Sequence, residues 1–218
     1  MTEKDTMLID MHNHTTISSY CSGLSPEELI ETARARGLDG VCVTEHLLIE
    51  GADATQALGR ELGFPVFRGI EARTDLGDVL VFGYYRDIPE GISLDDLSAA
   101  VHDVGGLVFV AHPYHTTGGW NLYASMQSRG LDLDRDWHSV RALRELDGVE
   151  VINAQVDDER NERARQLAAK LDVPGIAGSD SHAARMVARA ATRFDRVIRT
   201  DEELVAALKS GRFEAVRL

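Results

Sequence analysis

His12 and His14 stand two residues apart in the stretch "LIDMHNHTTIS" (residues 8–18), with Asp10 two before the first. On an extended chain, side chains at i and i+2 share a face, so both imidazoles can reach one cation. Asp10 can orient one of them from behind, as metal-bound imidazoles usually require, or hydrogen-bond within the core. Further metal-competent residues follow the same rule of position. Glu45 and His46 end "VCVTEH", Glu71 ends "FRGIE", His112 ends the run in "LVFVAHP", and Asp180 and His182 come in "GIAGSDSH". Asn153 ends "GVEVIN". Carboxylates and imidazoles gathered at one place would be left desolvated or in repulsion without a cation. The set therefore reads as a metal site with more than one ion. Imidazole and carboxylate with little thiolate suit zinc, manganese or iron.

The elements that must bring these residues together are legible as an alternation of short β-branched runs and amphipathic stretches. "LSPEELIETARARG" has the signals of a helix start: Ser25 as N-cap, Pro26 at the first helical position, Glu28 completing a capping box, Leu24 and Leu29 as a staple, and Gly37 at the end. "GVCVT", "PVFRGIE", "DVLVFGYY", "GLVFVA", "GVEVIN", "VPGIAG", "RFDRVI" and "FEAVR" read as strands. Helices are predicted over 52–63, in "SLDDLSAAVHDVG", near 139–146, over 158–171 and in "DEELVAALKSG". Six to eight βα-like units in one domain predict an α/β barrel or a doubly wound sheet. In both, the C-terminal strand edge is where active sites are built. Residues 113–138, "PYHTTGGWNLYASMQSRGLDLDRDWH", break the rhythm. A connection of that length is functional or mobile, and its two tryptophans, Trp120 and Trp137, favour a lid over the site.

The 218 residues are 44% hydrophobic and 27% charged, with a net charge of −13, which is the composition of a soluble protein. A negative field discourages contact with long nucleic acid or anionic membranes, though not with a small phosphorylated ligand. No run approaches a membrane span and the first residues lack a signal-peptide core, so a cytoplasmic location is expected. The two cysteines, Cys21 and Cys42, are too few for a disulfide scaffold, and Cys42 alternates with valines as a core residue would. His102, within a helix, and His138, within the insertion, read as surface or packing residues.

The motifs "DMHNHT", "VTEH", "GIE", "AHP" and "GSDSH", in that order, resemble the polymerase and histidinol phosphatase (PHP) family over nearly the whole chain. The resemblance implies a distorted seven-stranded (β/α)7 TIM-like barrel spanning 1–218, with two or three divalent metal ions at the C-terminal strand ends, and hydrolysis of phosphate esters. It implies that His12 and His14 bind a first metal with Glu71 and Asp180. Glu71 would bridge to a second metal at His112, and His46 and His182 would hold a third. The chain departs from the pattern at three places. Ser19 and Tyr20 occupy the positions where a third-metal ligand is usual, and Cys21 follows them. No histidine stands near Tyr84, where the second metal often gains one. Glu45 replaces an aspartate. His115, three after His112, could compensate or lie on the surface.

Between two such metals a bridging water becomes hydroxide near neutral pH, and Glu71, His112 and Asp180 would form the catalytic core. Arg73, two past Glu71, and Arg185, after the "GSDSH" loop, are candidate phosphate clamps or salt-bridge partners. A phosphoesterase acting on a small phosphorylated substrate such as a nucleotide, sugar phosphate or histidinol-phosphate-like compound is the expected function. A noncatalytic metal-binding module and an amidohydrolase-type hydrolase are the alternatives. The bridging lysine usual in the latter has no counterpart, since Lys4, Lys170 and Lys209 lie at no strand end.

Overall fold

The apolar runs pair into one sheet in the computed structural model, which describes residues 6–116 and 120–218. Lys4 and residues 117–119 of the expected insertion lie outside the described residues. The strands are β1 (Met7–Asp10), β2 (Gly40–His46), β3 (Val66–Thr74), β4 (Gly77–Phe82), β5 (Leu107–Val110), β6 (Gly148–Asn153), β7 (Gly175–Gly178), β8 (Ala190–Phe194) and β9 (Phe213–Arg217). Their order is β7-β6-β5-β4-β3-β2-β1-β8-β9. The β1–β2, β2–β3, β5–β6 and β6–β7 pairs are parallel.

The seven strands β1–β7 curl until their ends meet. The Met11 amide donates to the Ala177 carbonyl just beyond β1 (3.4 Å), and Asn13 bridges to Ser181 in parallel. Thr192 on β8 bonds both the amide and the carbonyl of Ala177, tying the seam from outside. The result is the expected distorted barrel, nearly closed.

The distortion has a local cause. Only Asp75 and Leu76 separate β3 from β4, and a link that short permits a hairpin but no crossover. Thr74 Oγ1 donates to the Gly77 carbonyl (2.6 Å), and Gly77 takes φ +117°, which a side chain would strain. β4 is therefore antiparallel to both neighbours. Its N-terminal end lies at the same rim as the C-terminal ends of β2 and β3.

One apolar cluster takes Ile9, Cys42, Phe67, Leu80, Phe109 and Ile176 from six strands and fills the barrel. The alternating residues, among them Val41, Val43, Val79, Val81 and Val149, pack outward under the helices. α1 (Pro26–Ala35) begins with the expected capping box of Ser25 and Glu28. α2 (Glu50–Leu62), α3 (Leu94–Asp103), α6 (Asp158–Leu171) and α7 (Asp201–Ser210) complete the outer layer with it.

The described residues of the 113–138 segment are more ordered than a free loop. They include α4 (Leu122–Ser128) and α5 (Leu133–Asp136), which bury Leu122, Met126 and Leu133 in the core. Arg163 of α6 lies over both Tyr114 and Tyr123 of the segment (4.2 and 4.7 Å to the ring centroids) and pairs with Asp134 at 2.8 Å. The helix expected near 139–146 is instead two 3-10 turns, Trp137–Ser139 and Arg141–Glu145, because Val140 between them is extended.

Candidate metal centre

The rim at the C-terminal ends of the parallel strands gathers His12, His14, His46, Glu71, His112, Asp180 and His182. His12 and His14 follow β1, His46 ends β2, Glu71 lies in β3, His112 follows β5, and Asp180 and His182 follow β7. His12 and His14 are fully buried. His112 (φ +24°) and Asp180 (φ +50°) are both left-handed without being glycine, a strain that a surrounding structure holds mostly at functional sites.

His12 Nε2 and His14 Nε2 face each other at 3.0 Å. Each stands 3.3–3.7 Å from Glu71 Oε2 and Asp180 Oδ1. Donors sharing one tetrahedral ion stand about 3.3–3.6 Å apart. The hydrogen bonds behind the rings engage both Nδ1 atoms. His12 Nδ1–H donates to Glu150 Oε1 at 3.0 Å. Ser19 Oγ spends its proton on Glu45, so it accepts from His14 Nδ1–H at 3.2 Å. With both Nδ1–H groups so engaged, the two Nε2 atoms face one point beside two carboxylates, and they are the atoms a metal would take up as lone pairs. Such a set is repulsive until a cation occupies the centre.

Two more groups of donors adjoin it. Glu71, Asp78 and His112 form one, with His112 Nε2 at 2.9 Å from Glu71 Oε1. Among the described residues, the buried His112 Nδ1 has no hydrogen-bond partner. Burial and the nearby Glu71 push the Asp78 carboxyl up to about 7, as a carboxylate lacking a cation would be. His14, His46 and His182 form the other group, and His46 Nδ1 lies 3.0 Å from Glu71 Oε2. The residues fit a cluster of divalent ions sharing Glu71.

The protonation of the centre follows from its charges. Burial disfavours charge on His12, yet Glu150, Asp180 and Glu71 outweigh it and hold the imidazole well above its usual range. Burial likewise opposes the charge on His112 and His46, but Glu71 and, for His46, Cys21 with Glu71 raise them to about 9 and about 10. Despite burial, Asp180 is held far below the ordinary carboxylate range, chiefly by His12.

Some roles differ from those read in the sequence. Asp10 does not support a ligand imidazole. Its carboxylate accepts from the backbone amides of Ser179 (2.8 Å) and Ala188 (3.2 Å), bracing the loop after β7, and burial raises its carboxyl to about 6. The carboxylate behind His12 is Glu150, which also accepts from the His112 amide (2.8 Å) and from Asn153 Nδ2 (3.1 Å). A lone acid between Val149 and Val151 was the available signal. Asp78 was missed as well. Glu45 is fully buried and accepts from the Thr15 amide and hydroxyl and from Ser19. Asn153 donates to Asp180 Oδ2 (3.3 Å).

The centre opens into a cavity of about 400 Å³ lined also by Arg73, His115, Trp120 and Asn121. Arg73 faces Asp78 (Nε to Oδ1, 3.6 Å) and Glu90 (3.1 Å) and lies over the Trp120 ring at 4.7 Å. The His115 ring centroid is 5.4 Å from that of His112. Arg185 is exposed on the 3-10 turn Ala184–Met186 and is not among the residues lining this cavity. His102 pairs with Asp147 (2.8 Å) at the opposite end of β5, and His138 packs on Trp137.

An α/β barrel with imidazole and carboxylate donors converging at its strand ends defines a metal-binding barrel. A family model described as PHP-associated matches residues 158–213. An uncharacterized protein of Methanocaldococcus jannaschii, MJ1587, is 30% identical over 157 residues, covering 68% of this chain and 82% of that protein. PsfC from Pseudomonas syringae has a similar structure, with a TM-score of 0.67 and 19% identity over 99% of this chain and 93% of its own. So has a protein from Bifidobacterium adolescentis, provisionally assigned as a metal-dependent phosphoesterase, with a TM-score of 0.61 and 21% identity over 80% and 87%. The chain belongs to the polymerase and histidinol phosphatase family. Among the described residues no helix is long and apolar enough to cross a membrane.

Proposed function

We propose that the protein is a metal-dependent phosphoesterase acting on a small phosphorylated substrate. The carrying observation is the convergence of His12 Nε2 and His14 Nε2 on one point, closed by Glu71 and Asp180. The likeness to the Bifidobacterium protein supports phosphate-ester chemistry.

Divalent ions, zinc or manganese by donor type, would supply a water acidified to near-neutral pKa and positive charge for the phosphate oxygens. The chain's residues do the rest. His12, His14, Glu71 and Asp180 hold the first position, and Glu71 with Asp78 and His112 the second. Arg73 lies where it can turn from Glu90 toward a phosphate in the cavity, with Trp120 under its guanidinium. Asn153 and Glu150 keep Asp180, His12 and His112 in place. Within the single domain, the 113–138 segment serves as a wall of the site through Trp120 and Asn121. The charge of −13 favours compact substrates over long nucleic acid.

Purified protein supplied with Mn²⁺ or Zn²⁺ should release phosphate from p-nitrophenyl phosphate or from members of a nucleotide and sugar phosphate panel. Turnover should vanish with chelator and in Asp180→Asn. A chain that binds metal and turns over none of these would be a noncatalytic module, and the reading would fail.

A further inference from the structure

The loop after β1 carries a donor that the usual family pattern does not supply. Ser19 and Tyr20 occupy the expected ligand positions, and neither is available. Ser19 Oγ is spent between Glu45, His14 and the His46 amide, and the Tyr20 side chain is fully exposed. The chain turns tightly here, with the Ser22 amide donating to the Ser19 carbonyl (2.9 Å) and the Gly23 amide to the His182 carbonyl (3.0 Å). That turn points Cys21 back at the rim. Its Sγ lies 3.3 Å from His46 Nε2 and also contacts the His182 ring.

The two imidazoles are set to receive an ion. His46 directs Nδ1 to Glu71 Oε2 (3.0 Å), and His182 Nδ1–H donates to the Asp180 carbonyl (3.0 Å). Both are thereby braced on the Nδ1 side, and His46 turns its Nε2 to the cysteine. Sulfur and nitrogen on one tetrahedral zinc stand roughly 3.5 Å apart, close to the Cys21–His46 separation. Cys42, the other cysteine, is buried in the barrel core and takes no part.

We propose that Cys21 is a metal ligand, completing with His46 and His182 a third position that selects a thiophilic ion. This rests on the reading of the rim as a metal centre. Thiolate ligation favours zinc or cobalt over magnesium or manganese, so this position fills with zinc even where manganese occupies the others. The centre becomes mixed, with oxygen and nitrogen donors at the first two positions and sulfur at the third.

Cobalt(II) titration of the whole protein separates the possibilities. Wild type should show ligand-field bands together with a near-ultraviolet thiolate-to-cobalt charge-transfer band. Cys21→Ser should lose the charge-transfer band and keep ligand-field absorption from the other positions. Elemental analysis should find one zinc fewer per chain in Cys21→Ser, restored in Cys21→His. Zinc should also slow alkylation of Cys21 by iodoacetamide. Ligand-field bands without charge transfer, or a charge-transfer band that survives in Cys21→Ser, would overturn the proposal alone. An absence of any cobalt binding would overturn the metal reading itself.

Discussion

Glu150 is the residue on which the centre most depends without touching the ion positions. It fixes His12 as a donor through Nε2, anchors the His112 amide and accepts from Asn153. Carboxylates in that position typically contribute 10–100-fold to metal affinity. Glu150→Gln keeps the shape and removes the charge. It should weaken binding of the first metal by about 10–100-fold, measured by competition with a chromophoric chelator, while circular dichroism stays native. Unchanged affinity would show that His12 is oriented by sterics alone. The same residue marks what a linear reading misses. His12 and His14 announce themselves because period two on a strand makes a chelate. Glu150 looks like any acid among valines until β6 is placed across the barrel from β1. Asp10 had the better spacing, yet backbone amides 169 and 178 residues away claim it.

Strand pairing settled the second ligand group. Asp78 faces Arg73 across β3–β4, so it reaches Glu71 and His112 only through the hairpin register. That register is set by the two-residue turn and by contacts with β5, and no window of sequence around Tyr84 contains it. What was legible was the run of strands, the capping box at Ser25 and the crowding of ligands at one edge. The insertion was legible as an interruption but not as packed helices, since α4 and α5 gain their order from Arg163 and the core beneath. The seam between β1 and β7 makes its own demand. A Cβ at Gly178 would stand 2.3 Å from the His12 Cβ, so β7 can pass behind the chelating strand only as glycine. Gly178→Ala should cost about 1–3 kcal/mol by overpacking and displace His12. Denaturant melts should show the loss together with weaker metal binding. A variant as stable as wild type would mean the seam can spread.

At the scale of the whole molecule, the chain of net charge −13 buries carboxylates and imidazoles at one rim. Without metal, protons supply the balancing charge. His112 and His46 have pKa values of about 9 and about 10, and His12 is also raised well above its ordinary value. Stabilisation from these raised groups is fully present below their unfolded pKa of about 6.5 and is lost as pH climbs through about 9 to 10. Metal binding requires the same nitrogens as lone pairs, so it must expel those protons. Three results are expected. Calorimetry in buffers of different ionisation enthalpy should find protons released on Zn²⁺ binding at pH 7. Apparent affinity should rise with pH between 6 and 8. Metal at 100-fold its pH 7 dissociation constant should stabilise the fold by about 2.7 kcal/mol, or roughly 5–10 °C in Tm for a chain of this size, and at that same metal concentration the increment should grow as pH rises. Binding that releases no protons and is indifferent to pH would mean that the imidazoles are neutral before the metal arrives, and that the cluster is balanced by some charge other than theirs.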